Sequence, residues 1–517
     1  MNHFFKKAVA TLGIMAVSAS FVTVYQANTN HAGANETSTN ILANKTSTTQ
    51  TGQLPKYIFL FIGDGMSYPQ IQSASYYLGA NSSNGGVETE MLSFMNFPVA
   101  GSAQTYDSTS FAPDSASTAT SISTGYKTHS GTINMDTTKT VAYEAISEKL
   151  KDQLGYKVGV VTSVNLNHAT PAAFYAHQAS RNSYYEIGQE MIASEFDYFA
   201  GGDLLKRTGA NSDQTDLYDL AKAAGYNVIT TQAEAEKLTA SDGKSIIIGE
   251  TLADSSSLSY ELDVEKAEWS LADYVDKGIE VLDNEKGFFM MVEGGKIDWA
   301  GHANDAGSVI NDTIALSEAV EEAIEFYNEH PNETLILVTG DHETGGLSIG
   351  FAGTNYDTYL TNLANQKISY AKFDSDYVAD YKENKTDFQT VLADIKKEFG
   401  LLTADDKDAT LAKNQALVLT DYELKQLEAA YERTLSVGSA KQSAMTQEEY
   451  VLYGTYEPLT VTITHILNNK SGISFTSYAH TGLPVPVFAM GVGADLFEGY
   501  YDNTDIYHNL AALAKVK

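Results

Sequence analysis

Short apolar runs alternate with longer amphipathic stretches through most of this chain. The runs are KYIFLFI (56–62), YKVGVVTS (156–163), YNVIT (226–230), SIIIG (245–249), GFFMMVEG (287–294), TLILVTG (334–340) and VPVFAMG (485–491). They have strand length, and their near-continuous apolar character predicts strands buried on both faces. Helical periodicity lies between them. After His302, for example, Ile310 and Ile314, then Leu316, Val320 and Ile324, recur at four-residue spacing. Apolar strands alternating with helices predict an α/β fold, with a large, mostly parallel central sheet flanked by helices on both faces.

The alternation weakens at two places. From Gly346 to about Tyr478 the sequence turns rich in Tyr, Lys, Asp and Glu, with helical patterns at 387–400 and 421–435. This predicts a long insertion, about 347–478, ahead of the last strand. At the start, Lys6 and Lys7 precede an apolar run that polar residues interrupt, and Ala32-Gly33-Ala34 offers a small-residue cleavage site. The pattern predicts a signal peptide over 1–34 rather than stable membrane insertion. A polar, Thr-rich lead-in follows over 35–53, then one folded domain over 54–517. Export would place the protein in the periplasm or outside the cell.

Sheets of this type carry their chemistry at the carboxyl ends of the strands. Three of the runs end in acids there: Asp64, Glu293 and Asp341. Carboxylates converging on one sheet edge repel each other unless a cation lies between them. Composition narrows the choice of cation. The chain has 517 residues and no cysteine, so thiolate chemistry and disulfides are excluded. Any metal is held by histidine and carboxylate, which suits zinc or magnesium. A formal net charge of −33 argues against nucleic acid as a partner, beyond its end phosphates, because the phosphate backbone would be repelled.

Five motifs could supply the chemistry. FAPDSASTATSISTG (111–125) opens a small-residue helix with Asp114-Ser115. Alone it reads as an ordinary capped helix. With a metal nearby, Ser115 reads as a nucleophile at a helix N-terminus, where backbone N–H groups favour an anion. EGGKIDWAGH gives Glu293, then Asp298 and His302 one helical turn apart. GDHETGG gives Asp341 and His342, and YAHTG gives His480. HATPAAFYAHQASR gives His168, Thr170 and Arg181, and Arg181 is one of only three arginines, with Arg207 and Arg433. Guanidinium grips phosphate through two parallel hydrogen bonds. The remaining histidines, His3, His31, His129, His177, His330, His465 and His508, carry no such context.

Together, and in this order, the motifs resemble the signature set of alkaline phosphatases, from about Tyr57 to Gly491. The resemblance implies a phosphomonoesterase with two zinc ions and one magnesium ion, working through a phosphoserine at alkaline pH. It implies Asp298, His302 and His480 at the first zinc, and Asp64, Asp341 and His342 at the second. Asp64, Thr170 and Glu293 would hold magnesium. Ser115 would be the nucleophile, Arg181 the phosphate clamp and Asp114 the residue that orients it. The best-known bacterial branch has Asp where His168 stands and Lys where Trp299 stands. The His–Trp combination is similar to cold-active marine bacterial enzymes, and His168 would reach magnesium only through water. Small phosphate monoesters are the implied substrates, and a homodimer is compatible with the resemblance. Other readings are a phosphodiesterase or sulfatase of the same superfamily, or a secreted metal- or phosphate-binding protein without turnover.

Overall fold

Strand β1, Tyr57–Gly63, is buried along its whole length and shows how the fold is built. Tyr57, Phe59 and Phe61 point into one apolar core and Ile58, Leu60 and Ile62 into another. Side chains alternate faces along a strand, so a fully apolar run requires cover on both sides. A computed structural model describes residues 54–517; the expected signal peptide and lead-in, 1–53, lie outside the described residues.

The other strands are β2 (Val99–Gln104), β3 (Lys157–Asn165), β4 (Tyr198–Gly202), β5 (Asn227–Ile229), β6 (Ser245–Ile248), β7 (Phe288–Gly294), β8 (Thr334–Gly340), the short β9 (Glu343–Thr344), β10 (Ser348–Ile349), β11 (Ile473–Ser474) and β12 (His480–Thr481), then β13 (Val485–Gly491) and β14 (Gly499–Asp502). Ten of them form one sheet in the order β14-β2-β13-β8-β1-β7-β3-β4-β6-β5. Helices α1 (Tyr68–Ser82), α2 (Ser115–Thr124), α3 (Leu271–Leu282), α4 (Lys296–His302), α5 (Ala306–Glu329), α6 (Pro458–Ser471) and α7 (Thr504–Ala514) cover it. α1, α3 and α5 pack on the Phe59 face, and α2 and α7 on the Ile58 face. The mostly parallel α/β sheet expected from the sequence is therefore present.

Sequence pattern did not reveal β2, β4 or β14. VAGSAQ, YFAGG and GYYD contain small or polar residues where a core strand would be apolar. Nor did it reveal that β13 runs antiparallel to both its neighbours, β2 and β8. The reversal matters for the site. β13 starts where β8 ends, with Val487 paired to Thr339. Residues just before β13 therefore lie at the same edge as residues just after β1, β7 and β8.

Between β10 and β11 the chain makes a largely helical excursion that includes Phe388–Phe399, Asp421–Ser436 and α6. It leaves and returns through one antiparallel contact, Ser348 with Ser474 and Ile349 with Ile473. Its apolar residues, among them Phe373, Ile395, Leu427 and Ile463, join the core on the Phe59 face. Among the described residues no helix is long and apolar enough to cross a membrane.

Candidate active site

The strand ends deliver their acids to one place. Asp64 follows β1, Glu293 lies in β7 and Asp341 follows β8; these are adjacent strands in the sheet. Gly65, at φ +73°, turns the chain after β1 in a conformation that suits glycine. Its N–H donates to Asp341 Oδ1 at 3.1 Å.

Asp64, Asp341 and His342 form one cluster, with a ligand atom from each within 4.8 Å of the others. His342 Nε2 is 3.2 Å from Asp64 Oδ1 and 3.3 Å from Asp341 Oδ2. Asp298, His302 and His480 form a second cluster of the same kind. Asp298 and His302 share one face of α4, and β12 brings in His480. His302 Nδ1 donates to the Tyr478 carbonyl at 2.7 Å and His480 Nδ1 to the Pro113 carbonyl at 2.5 Å. A carbonyl only accepts, so each Nδ1 carries a proton, and in the neutral ring each Nε2 is a lone pair. The two Nε2 atoms then face each other at 3.0 Å. Two lone pairs at that separation call for a cation between them.

Ser115 opens α2, where Asp114 is the N-cap and accepts from Ser117 N at 3.1 Å. The small side chains of α2 allow all ten of its residues to be buried. Ser115 Oγ lies 3.2 Å from His342 Nε2 and 3.4 Å from Asp64 Oδ1. Arg181 Nη1 donates to Asp114 Oδ2 at 2.9 Å, and Nη2 is 3.4 Å from His168 Nε2. Burial opposes ionisation of Asp114, yet the Arg181 charge and the Gly131 N–H hold its carboxyl below the usual range.

Thr170 Oγ1 donates to Asp64 Oδ2 at 3.1 Å, and the Thr162 hydroxyl donates to Glu293 Oε2. Glu293 Oε1 is buried with no hydrogen-bond partner. Burial, and the charges of Asp341 and Asp298, push the Glu293 carboxyl up to about 8 against the local help of Thr162. Burial and Asp298 likewise raise Asp341 to about 7, and Asp64 is raised well above its ordinary value by burial and by Asp341. Acids that resist ionisation this strongly mark a site built for positive charge. His168 is held down at about 3 by burial and by Arg181, so its ring is neutral. Trp299 packs edge-on against it, ring centroids 5.8 Å apart, and lies under the Lys296 ammonium at 4.7 Å.

The sequence model of the alkaline phosphatase family matches residues 55–516. The chain belongs to the alkaline phosphatase family. It is an enzyme that hydrolyses phosphate monoesters. Alkaline phosphatase 3 of Bacillus subtilis is 30% identical over 465 residues, covering 88% of each chain. Alkaline phosphatase 4 of the same species is 29% identical over 454 residues, covering 87% of this chain and 86% of the relative. The crystal structure of a cold-active alkaline phosphatase from a psychrophilic Shewanella superposes with a TM-score of 0.71 at 29% identity, covering 89% of this chain and 99% of that one. The alkaline phosphatase of the Antarctic bacterium TAB5 covers 90% and 99%, at 25% identity and a TM-score of 0.59.

In this alkaline phosphatase every residue singled out from the sequence lies at one sheet edge, and several partners were missed. Thr162 lies on β3, which carries no motif, whereas Thr118, which donates to Asp341 Oδ2 at 3.2 Å, stood inside FAPDSASTATSISTG. Pro113 and Tyr478 act through backbone carbonyls, which side-chain identity does not disclose. Thr344 stood inside GDHETGG, and its position in that motif was the available signal.

Proposed function

We propose that the chain hydrolyses phosphate monoesters at alkaline pH through a phosphoserine at Ser115, with two zinc ions and one magnesium ion as cofactors. The observation that carries this reading is the placement of Ser115 Oγ, at a helix start and 3.2 Å from His342 Nε2. Asp298, His302 and His480 would hold one zinc, and Asp64, Asp341 and His342 the other. Their donor chemistry fits, with facing histidine lone pairs and uncompensated carboxylates. Asp64, Thr170 and Glu293, whose Oε1 has no hydrogen-bond partner, would hold magnesium, and neutral His168 would reach it through water. When bound, these cations supply positive charge that neutralises phosphate and activates hydroxyl and water.

The chain's own residues supply position and sequence of events. Arg181 grips two phosphoryl oxygens while Asp114 keeps the guanidinium aimed at them. The N–H groups at the start of α2 face the same anion. Ser115 Oγ loses its proton and bonds to phosphorus as the ester P–O bond breaks, and the alcohol leaves. Water then attacks the phosphoserine, the Oγ–P bond breaks, and Ser115 recovers a proton as inorganic phosphate departs. Such catalysis is mostly positioning and charge neutralisation. The N-terminal charge and apolar pattern support export to the periplasm or the medium.

Turnover of a chromogenic phosphate monoester, beside the matching diester and sulfate ester, tests the reading. The monoester should be preferred by several orders of magnitude. Faster turnover of the diester or the sulfate ester, or none of the three, contradicts it.

A further inference from the structure

Thr344 lies between the two clusters and touches both. Its Oγ1 is 2.5 Å from Asp298 Oδ1 and 3.2 Å from His342 Nδ1. Asp298 belongs to one cluster and His342 to the other, and Thr344 itself is 1% exposed. A hydroxyl has one proton to give, and an ionised carboxylate only accepts. The proton therefore goes to Asp298. What Oγ1 then offers His342 is a lone pair, which is favourable only when Nδ1 carries a hydrogen. In the neutral ring that leaves Nε2 unprotonated, and Nε2 is the atom that faces Asp64, Asp341 and Ser115. His302 and His480 have backbone carbonyls for this purpose. For His342 a threonine hydroxyl takes the part.

The side chain is also held in place. Thr344 is the cross-strand partner of His480 in the β9–β12 pair. Its N–H donates to the Gly65 carbonyl at 3.2 Å, and its own carbonyl accepts from Gln70 Nε2 at 3.1 Å. A Cβ added to Gly65 would fall 2.8 Å from Thr344 Oγ1, and one added to Gly301 would fall 3.1 Å from its Cγ2. The hydroxyl thus packs against the turn after β1 and the methyl against α4, where a β-branched side chain has little rotamer freedom.

We infer that Thr344 is a positioning residue that couples the two metal clusters, orienting Asp298 in one and fixing the ring tautomer of His342 in the other through a single hydroxyl. The inference rests on the two-zinc reading above. One substitution should then weaken both zinc sites together, although they share no ligand. Loss of such an outer partner typically costs about 10–100-fold in metal affinity.

The test is zinc competition against a chromogenic chelator, on wild type, Thr344→Val, Thr344→Ala and Thr344→Ser, with circular dichroism to verify the fold. Wild type should bind two zinc ions at these clusters. Val removes the hydroxyl at nearly constant shape and should weaken both sites by about 10-fold or more. Ser restores the hydroxyl without the methyl and should recover both to within a few-fold. Ala makes the same test if Val does not fold. A Val or Ala variant that binds both ions as tightly as wild type overturns the inference, as does weakening of only one site or a Ser variant no better than Val. A wild-type chain that binds no zinc there overturns the metal reading itself, and with it the inference.

Discussion

Replacing Asp114 by asparagine separates two tasks of one side chain. Oδ1 accepts from Ser117 N at 3.1 Å and Gly131 N at 2.9 Å, and so caps α2. Oδ2 accepts from Arg181 at 2.9 Å. Asparagine is as good an N-cap as aspartate, so its Oδ1 keeps the two backbone bonds and Ser115 stays where it is. Its Nδ2, however, places a donor against a guanidinium that can only donate. A hydrogen bond to a charged group contributes about 1.5–3 kcal/mol. Both side chains are about one-fifth exposed, which favours the lower end, and about 1.4 kcal/mol is tenfold in binding. Arg181 keeps only its backbone bond to the Gly131 carbonyl and its contact with His168. The inhibition constant of inorganic phosphate should therefore rise about tenfold in Asp114→Asn, with melting lowered by no more than a few degrees. The assay is competitive inhibition by phosphate of monoester hydrolysis. Asp114→Ala, which also loses the cap at about 1 kcal/mol, should in addition lower turnover. An unchanged phosphate constant in a normally folded Asn variant, or Asn and Ala variants that behave alike, would refute this division of labour.

Ser115→Ala should keep the fold and the zinc content and lose most turnover; near-normal activity would remove Ser115 from the nucleophile role. Chelation should lower the melting temperature, and more so at higher pH. The metal-free fold raises Glu293 to about 8 and Asp341 to about 7, so it holds protons that the unfolded chain releases. The contribution of these carboxyls to metal-free stability is full below about pH 4 and is lost as pH rises through about 8; a metal-free melting temperature that stays flat or rises between about pH 6 and 9 contradicts the carboxylate cluster as its source. Trp299→Lys should tighten phosphate inhibition several-fold, because it adds a positive charge beside His168, next to the Arg181 guanidinium that would hold phosphate. An unchanged or weaker constant in a folded variant would mean that the indole acts by packing alone.

Strands such as YIFLFIG and TLILVTG were legible because burial on both faces leaves an apolar signature independent of their partners. β4 and β14 were not, since YFAGG relies on glycine and GYYD lies at the sheet edge. The direction of β13 is a tertiary fact that no local pattern encodes. That reversal, together with the β9–β12 pairing, brings His480, far along the chain, to Asp298. The side chains that the fold gathers at this edge were legible as candidates because their motifs restrict residue type and spacing. Their supports were not. Thr162 becomes visible only once β3 pairs with β7, in a register that sets Thr162 beside Glu293.

The claim at the centre of the account is a covalent bond from Ser115 Oγ to phosphorus. The direct measurement is mass spectrometry of peptides from enzyme incubated with a phosphate monoester and quenched in acid. The account predicts a phosphate on the peptide containing Ser115, located at Ser115 by fragmentation and absent from Ser115→Ala. Phosphate on another residue, or fully active enzyme that never carries phosphate under acid quench, would contradict it.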